Sequence, residues 1–260
     1  MVSATFRFYD ELGDFLPYAR RGREFAASCA RAASVKHMIE ALGVPHTEVA
    51  LILVNGEASG FERLLEEADR VAVYPAFETL DVTALSRLPR LPQREEGGPR
   101  FVADAHLGGL ARLLRMAGFD TLYDNHYADD EIVAIAAAED RVVLTRDREL
   151  LKRRAVVHGC YVHAIKPAAQ FRELFDRLGL AASARPFSLC LHCNAALRAV
   201  DKATVLDALP PSVRALHDEF NTCDACRRVF WKGSHHKRMC ALLDAVTEGA
   251  APAAQEGRDE

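Results

Sequence analysis

The chain has 260 residues, half of them hydrophobic, which is enough for two or three domains with buried cores. Its 33 Lys and Arg against 37 Asp and Glu give a net charge of -4, so a signal for nucleic-acid binding has to be local. No run of about 18 or more apolar residues predicts a membrane span, and the alternating, acid-containing N-terminus is unlike a signal peptide. We therefore expect a cytoplasmic protein with no membrane partner.

Residues 1–80 show the strand and helix order of a β-grasp domain. The predicted elements are a strand at 5–9, a strand at 23–29, a helix at 35–42 with Ser34 as its N-cap, a strand at 49–54, a hairpin turn at Asn55-Gly56 and a closing strand at 69–74. The order strand, strand, helix, strand, strand is typical of this fold.

Two motifs in this segment resemble ubiquitin-like sulfur carriers of the ThiS and MoaD type. They are VNGE at 54–57 and DRVAVYPAF at 69–77. In those carriers the chain ends in Gly-Gly, and the free carboxylate is activated. Here Glu78 follows the motif and Gly97-Gly98 is internal. The resemblance implies a ubiquitin-like fold, and we expect it to dock a protein partner or act as a scaffold.

Two segments are predicted to lack regular structure. Residues 81–99 contain three prolines and a polar run that ends in Gly97-Gly98, and this composition predicts a linker. Residues 248–260 are rich in Ala, Gly and Glu and are predicted to be a disordered tail.

Residues 100–182 alternate short apolar strands with helices, which predicts a parallel α/β sheet. The predicted strands are 101–103, 119–123, 141–145 and 160–165, and the predicted helices are 107–117, 131–138, 148–154 and one that starts near Pro167. Right-handed crossovers place the carboxyl ends of such strands at one edge of the sheet, where ligands bind.

Three aspartates occur where this edge is expected. Asp104 and Asp147 follow predicted strands, and Asp130 precedes the helix at 131–138. Carboxylates gathered at one edge repel each other unless a cation neutralises them, and hard oxygen ligands suit Mg²⁺ or Mn²⁺. This pattern indicates a site that cleaves phosphodiester bonds. The alternative is that each aspartate only caps a helix, with Asp129 or Asp130 as the cap before residue 131.

The same region resembles known ribonucleases. DEIVAIAAAEDRVVLTRD at 130–147 is similar to PIN-domain ribonucleases, where one Asp opens a helix and another follows the next strand as T-x-D. FVADAHLGGLARLLRMAGFDT at 101–121 resembles the Mut-seven C-terminal RNase family, whose bacterial members can carry an N-terminal ubiquitin-like domain. The resemblance implies that Asp104, Asp130 and Asp147 form an acidic triad.

Larger PIN domains, as in VapC-type toxins, carry another acid, usually Glu, between the first two members of the triad. The helical insert that bears it is absent from this sequence. Asp124, Asp129 and Glu131 are candidates to replace it.

Residues 183–247 carry two cysteine pairs, Cys190-x-x-Cys193 and Cys223-x-x-Cys226, with a predicted helix near 201–209 between the pairs. Two such pairs supply the four soft ligands of a structural zinc ribbon. The alternatives are redox CxxC motifs or unlinked cysteines. The other cysteines, Cys29, Cys160 and Cys240, are predicted to be packing residues.

Basic residues cluster after the second pair and beside Asp147. Residues 227–238 contain five basic residues and no acid, with Phe230 and Trp231 between them. Basic side chains bind phosphates and aromatic rings stack on bases. The candidate RNA contacts are Arg146, Arg148, Lys152, Arg227, Arg228, Trp231, Lys232, Lys237 and Arg238. The alternative is a solvated charged edge with the two aromatics in a small core.

The sequence therefore predicts a multidomain α/β protein with a ubiquitin-like β-grasp, a PIN-like sheet and a zinc ribbon. The first functional hypothesis is a metal-dependent ribonuclease, a hydrolase with structural Zn²⁺, catalytic Mg²⁺ or Mn²⁺, and RNA as its partner. The other hypotheses are a non-catalytic RNA-binding module and an interaction protein that docks a partner through its β-grasp.

Overall fold

The computed structural model describes residues 1–76, 86–88 and 98–247. The predicted tail at 248–260 and most of the predicted linker at 81–99 lie outside the described residues, as do Phe77, Glu78 and Gly97. Within the described ranges, no helix combines the length and the apolar character needed to cross a bilayer.

The strands and helices follow the chain in a mixed α/β order. The strands are β1 (Val2–Phe8), β2 (Phe25–Cys29), β3 (Leu51–Val54), β4 (Glu57–Ala58), β5 (Arg70–Tyr74), β6 (Phe101–Ala103), β7 (Thr121–Tyr123), β8 (Val142–Thr145), β9 (Gly159–Tyr161), β10 (Leu197–Val200), β11 (Phe220–Cys223) and β12 (Val229–Trp231). The helices are α1 (Val35–Ala41), α2 (Gly108–Met116), α3 (Asp129–Glu139), α4 (Arg148–Leu151), α5 (Pro167–Leu178), α6 (Lys202–Val205), α7 (Pro211–Leu216) and α8 (Ser234–Thr247).

These strands form sheets in the orders β2-β1-β5-β3-β4, β7-β6-β8-β9 and β10-β11-β12. The predicted fold class is confirmed: a ubiquitin-like domain is followed by a parallel sheet with helices and by a C-terminal cysteine cluster. The boundaries of the five predicted segments remain a prediction.

The N-terminal sheet has the mixed pairing of a β-grasp. Strand β1 is antiparallel to β2 and parallel to β5, and β3 is antiparallel to β5. The predicted cap of α1 is confirmed, because the Ser34 hydroxyl accepts the N–H of His37 at 3.2 Å. Asn55 and Gly56 have φ values of 55° and 89°, as the tight turn between β3 and β4 requires. The short strand β4 is an addition to the predicted order.

The central sheet is parallel where β8 pairs with β6 and with β9. Every residue of β6 and β8 is buried, as expected of a parallel sheet covered on both faces. The predicted strand at 160–165 is too long, since β9 ends at Tyr161. Its continuation turns toward α5, where the N–H groups of His163 and Ala164 donate to the Glu173 carboxylate at 2.9 and 2.8 Å.

The start of α3 differs from the prediction. Its N-cap is Ala128, whose backbone N–H donates to Glu131 Oε2 at 2.9 Å, so neither Asp129 nor Asp130 is the cap. Both aspartates lie in the first helical turn, where negative charge interacts favourably with the exposed N–H groups. The reading of Asp130 as a simple helix cap is therefore wrong.

The described residues form two compact units. The first contains the described residues up to 88 together with Phe101–Ala105 and Asp124–Val162, and the second contains residues 98–100, His106–Tyr123 and residues 163–247. The first unit thus holds the β-grasp and the three candidate catalytic aspartates, whereas the second holds the cysteine pairs.

Gly118 lies where two backbone segments of the second unit pack closely against each other. Its φ is +91°, and a Cβ at this position would lie 2.1 Å from the carbonyl oxygen of Arg185. Since backbone cannot move aside like a flexible side chain, Gly118→Ala should lower the free energy of unfolding by more than about 2 kcal/mol. Gly179 is the matched control, because its φ is +60° and a Cβ added there would have no atom within 4 Å. Gly179→Ala should cost only about 1 kcal/mol, and equal costs in urea unfolding would contradict the packing argument.

Candidate functional site

Thr145, the last residue of β8, links two of the predicted catalytic aspartates. Its buried hydroxyl donates to Asp104 Oδ2 at 2.5 Å and accepts the backbone N–H of Asp147 at 2.9 Å. A hydroxyl can donate and accept at the same time, so one side chain connects the carboxyl ends of β6 and β8. The two aspartates therefore lie at the same edge of the parallel sheet, as the strand pattern predicts.

Each of these two carboxylates is further oriented by a backbone group. Asp104 is 7% exposed, and its Oδ1 accepts the N–H of Ala105 at 2.6 Å. Asp147 is the N-cap of α4, with Oδ1 accepting the N–H of Glu149 at 2.8 Å. For Asp147 the predicted capping role is therefore present, and it fixes the carboxylate at the sheet edge.

Asp130 has different surroundings. Its side chain is 91% exposed and is paired with the guanidinium of Arg153, which also lies 3.3 Å from Asp129 Oδ2. Among the described residues, the three aspartates do not form a group of metal-ligating atoms that all lie within 4.8 Å of one another. Thr145 connects Asp104 with Asp147, whereas Arg153 holds Asp130.

The candidates for a fourth acid are also engaged locally. Glu131 accepts the N–H of Ala128, and Asp129 contacts Arg153. Asp124 directly follows β7, as Asp104 follows β6, and its Oδ1 accepts the N–H of His126 at 2.9 Å. Asp124 thus has the same place relative to its strand as Asp104.

The basic residues beside Asp147 have intramolecular partners. The Arg148 guanidinium donates to the carbonyl oxygen of Phe15 at 3.2 Å, and Lys152 Nζ lies 2.7 Å from Glu149 Oε1. Arg146 is half-buried. Arg148 and Lys152 are therefore each bound within the protein.

The predicted C-terminal patch is an exposed set of cations around β12 and the start of α8. Its exposed basic members are Arg227, Arg228, Lys232, Lys237 and Arg238. Trp231 is half-buried and packs against the small core formed by Leu209, Val213 and Phe220. Lys232 pairs with Glu219 at 2.5 Å. The charges are therefore solvated, while the indole belongs partly to the core.

The four predicted metal-ligating cysteines converge. Their Sγ atoms all lie within 4.8 Å of one another, with Cys190 and Cys226 3.6 Å apart and Cys193 and Cys223 3.3 Å apart. None of them forms a disulfide. Zn–S bonds of about 2.3 Å in a tetrahedron place sulfurs about 3.8 Å apart. The cluster therefore has the donor type and the dimensions for a structural metal ion such as zinc.

The two cysteine pairs have the same turn geometry. The N–H of Asn194 donates to Cys190 O at 3.0 Å, and the N–H of Arg227 donates to Cys223 O at 2.8 Å. Asn194 and Arg227 each follow the second cysteine of a pair and have φ values of 70° and 59°. The repeated left-handed residue turns each chain segment so that both thiols of the pair face a common centre.

Burial opposes the ionisation of two of these thiols. Burial raises the pKa of Cys190 to about 12 and raises that of Cys193 as well. For Cys223 burial acts in the same direction, but the N–H of Cys226 and neighbouring donors outweigh it and bring the pKa to about 7. Thiolates are the metal-binding form, so a bound divalent cation would offset the cost of ionising the buried thiols.

Two residues that support the first cysteine pair were not predicted. The Arg115 guanidinium is 4% exposed and donates to the carbonyl oxygens of Thr121 at 2.9 Å and His192 at 2.8 Å. Asn194 accepts the N–H of Thr121 at 3.0 Å and donates to Asp120. The available signal was an arginine on the apolar face of α2, where a charge needs a buried partner.

Two solved structures are similar to part of the chain, and no curated protein matches it significantly. The crystal structure of small archaeal modifier protein 1 from H. volcanii is similar to this chain at 18% identity, with a TM-score of 0.24. The match covers 29% of this chain and 98% of the modifier protein. The crystal structure of SAMP1 from Haloferax volcanii is similar at 19% identity, with the same TM-score. That match covers 29% of this chain and 96% of SAMP1.

Two family models match the chain. The Mut7-C ubiquitin model matches residues 1–81, and the Mut7-C RNAse domain model matches residues 99–243. The second match spans more than half of the sequence, and the protein therefore belongs to the Mut7-C RNAse domain family, with a Mut7-C ubiquitin domain at its N-terminus.

Proposed function

We propose that this protein is a PIN-type, metal-dependent ribonuclease that hydrolyses RNA phosphodiester bonds, with Asp104, Asp130 and Asp147 as ligands of Mg²⁺ or Mn²⁺. The observation that carries the proposal is the hydrogen-bonded connection Asp104–Thr145–Asp147 at the carboxyl edge of β6 and β8. It lies inside a match to an RNAse domain, which supports RNA as the substrate.

The donor set fits a hard cation in its chemistry, because it consists of carboxylate oxygens. When bound, such a cation supplies Lewis-acid stabilisation of the phosphate and a lowered pKa of a ligand water. Thr145 and the N–H of Ala105 each bond one oxygen of Asp104, which keeps that carboxylate in one orientation. Asp147 is held by the N–H of Glu149 in the same way.

Asp130 would join these ligands by leaving Arg153. Its side chain is largely exposed and that of Arg153 is 38% exposed, and exposed ion pairs of this kind contribute at most about 1 kcal/mol. Exchange of the guanidinium for a divalent cation is therefore inexpensive.

RNA would be held mainly through its phosphates. We assign this role to Arg146 and Lys152 near the acidic edge and to the exposed cations at 227, 228, 232, 237 and 238, with the half-buried Trp231 as a stacking surface. The four cysteines would hold a structural Zn²⁺ that fixes the fold beneath this patch.

A non-catalytic RNA-binding module is the second candidate function. The pairing of Asp130 with Arg153 favours it, because this pairing neutralises one predicted ligand without any metal. The two functions differ in whether a divalent cation binds the acidic edge and whether RNA is cleaved.

Removing one ligand charge should separate these functions. Asp147→Asn and Asp104→Asn should each lower Mn²⁺-dependent cleavage of a labelled single-stranded RNA by a factor of about a hundred or more, since each removes a charged metal ligand. Both should also reduce the rise in Tm that Mn²⁺ produces. Asp140→Asn is the matched control, because Asp140 lies at the opposite end of β8. Cleavage that persists unchanged in Asp147→Asn would falsify the assignment, and a wild type that neither cleaves RNA nor gains stability from Mn²⁺ would favour the binding module.

The hydroxyl of Thr145 should matter beyond its shape. Thr145→Val keeps the volume but leaves Asp104 Oδ2 and the N–H of Asp147 without this partner, which should lower cleavage about tenfold to a hundredfold and cost about 1–3 kcal/mol of stability. Thr145→Ser retains the hydroxyl and should keep most of the activity. Cleavage assays and urea unfolding of both variants measure this, and a valine variant as active as the serine variant contradicts the proposed link.

The cysteine cluster should retain about one zinc per chain after dialysis, as expected of a single structural site. Cys193→Ser should lose the metal and unfold the segment that begins near residue 183, because thiolate ligation supplies much of the folding free energy of small zinc domains. Cys240→Ser is the control, since Cys240 lies on α8 outside the cluster. A wild type that is folded in full but free of metal contradicts the zinc assignment.

A further inference from the structure

The ubiquitin-like domain contacts the outer strand of the RNase sheet within the first compact unit. The backbone N–H of Tyr161 in β9 donates to Glu48 Oε1 at 2.7 Å, and Glu48 is 4% exposed. An outer strand presents N–H groups without a strand partner, and these need another acceptor when they are buried. The Glu48 carboxylate is that acceptor, so a side chain of the N-terminal domain caps the edge of the sheet.

The turn at His46–Glu48 makes two further contacts, one with the segment just before β9 and one with its first residue. His46 Nε2 lies 2.9 Å from the carbonyl oxygen of Val156, which precedes β9. Thr47 packs at Gly159, where an added Cβ would lie 3.3 Å from Thr47 Cγ2 and 2.6 Å from Leu151 Cδ2. The absence of a side chain at Gly159 therefore permits the close approach of the N-terminal domain.

A fourth contact reaches the residue next to Asp147. The Arg148 guanidinium donates to Phe15 O at 3.2 Å and lies 5.0 Å from the centroid of the Phe15 ring and 5.9 Å from that of Tyr161. The two rings meet edge to face at 5.1 Å. A guanidinium held by a carbonyl and two aromatic faces is well fixed in position.

This contact bears on the geometry of Asp147 through the backbone. Asp147 is the N-cap of α4 and Arg148 is its first residue, so anchoring the Arg148 side chain restrains the peptide that orients Asp147. The N–H of Lys152 donates to Arg148 O at 3.2 Å, which extends the restraint across the single turn of α4. A helix this short has little stability of its own and depends on such tertiary contacts.

We propose that the ubiquitin-like domain acts on its own chain, as a cap on β9 that holds the Asp147 segment in position through Arg148. The partner of this surface of the domain is the RNase sheet itself. Arg148 is then a positioning residue and does not serve as a phosphate contact. Its effect on cleavage rests on the proposed ribonuclease function, whereas its effect on the order of α4 does not.

The test uses the full chain and two variants, one in the RNase domain and one in the ubiquitin-like domain. Arg148→Met removes the guanidinium, and Glu48→Ala removes the acceptor of the Tyr161 N–H. Each should raise hydrogen exchange of the amides of Glu149 to Lys152 about tenfold, the loss expected from one charged hydrogen bond. Each should also lower kcat for RNA cleavage with KM nearly unchanged, since positioning acts on the reacting geometry more than on RNA affinity.

The matched controls make the same changes of charge at exposed residues outside the domain contact. Arg154→Met removes an exposed cation close to α4, and Glu62→Ala removes an exposed acid of the ubiquitin-like domain. Neither should alter exchange at Glu149 to Lys152. The salt dependence of KM should stay as in the wild type for Arg148→Met, because a residue that does not touch phosphate releases no counterion.

Several outcomes overturn the proposal. A raised KM and a weaker salt dependence in Arg148→Met, with exchange unchanged, would make Arg148 an RNA contact. Unchanged exchange at Glu149 to Lys152 in Glu48→Ala, in a chain whose melting shows it is folded, would remove the link between the two domains. If the wild type does not cleave RNA, the proposed function fails, while the exchange measurements still decide this inference.

Discussion

The geometry of the acidic edge depends on one buried hydroxyl. Thr145 ends β8 inside the sheet, where its hydroxyl satisfies both Asp104 of the neighbouring strand end and the N–H of Asp147. This arrangement requires β6 and β8 in parallel register, with Ala103 opposite Leu144. A slip of β8 by one residue would turn the Thr145 side chain to the other face of the sheet and away from Asp104, because successive side chains of a strand point to opposite faces. The register of β6 and β8 and the placement of the two carboxylates are therefore one constraint.

Much of the fold could be predicted because its signals are local. Ser34 before an amphipathic helix, Asn55-Gly56 between two strands and the apolar runs of β6 and β8 each specify their own element. The errors arose where tertiary contacts compete with local preference. The segment after Tyr161 leaves the sheet because Glu173 of α5 binds its N–H groups, and no periodicity in residues 160–165 shows that acceptor.

The parts of the site that depend on residue spacing in the sequence could be predicted. The two CxxC pairs bring their sulfurs together, and strand ends locate Asp104 and Asp147. The partners that orient these groups are distant in sequence, as Arg115 is from His192 and Phe15 is from Arg148. Each of these arginines is polar in the sequence and could equally face solvent. Only the fold shows that each one satisfies a backbone carbonyl of another segment.

The cations around Asp147 divide into two physical classes, and this division decides how they can act on RNA. Lys152 and Arg153 pair with carboxylates at or near the surface, where water screens the attraction and exchange for a phosphate costs little. Arg148 is bound by a carbonyl and two aromatic rings, and no phosphate can replace all three contacts without opening the domain contact. Under the proposed function, neutralising RNA phosphates would fall to Lys152, Arg153 and the C-terminal patch. A protein of net negative charge can bind a polyanion in this way, since the charge that matters is the local, exchangeable part.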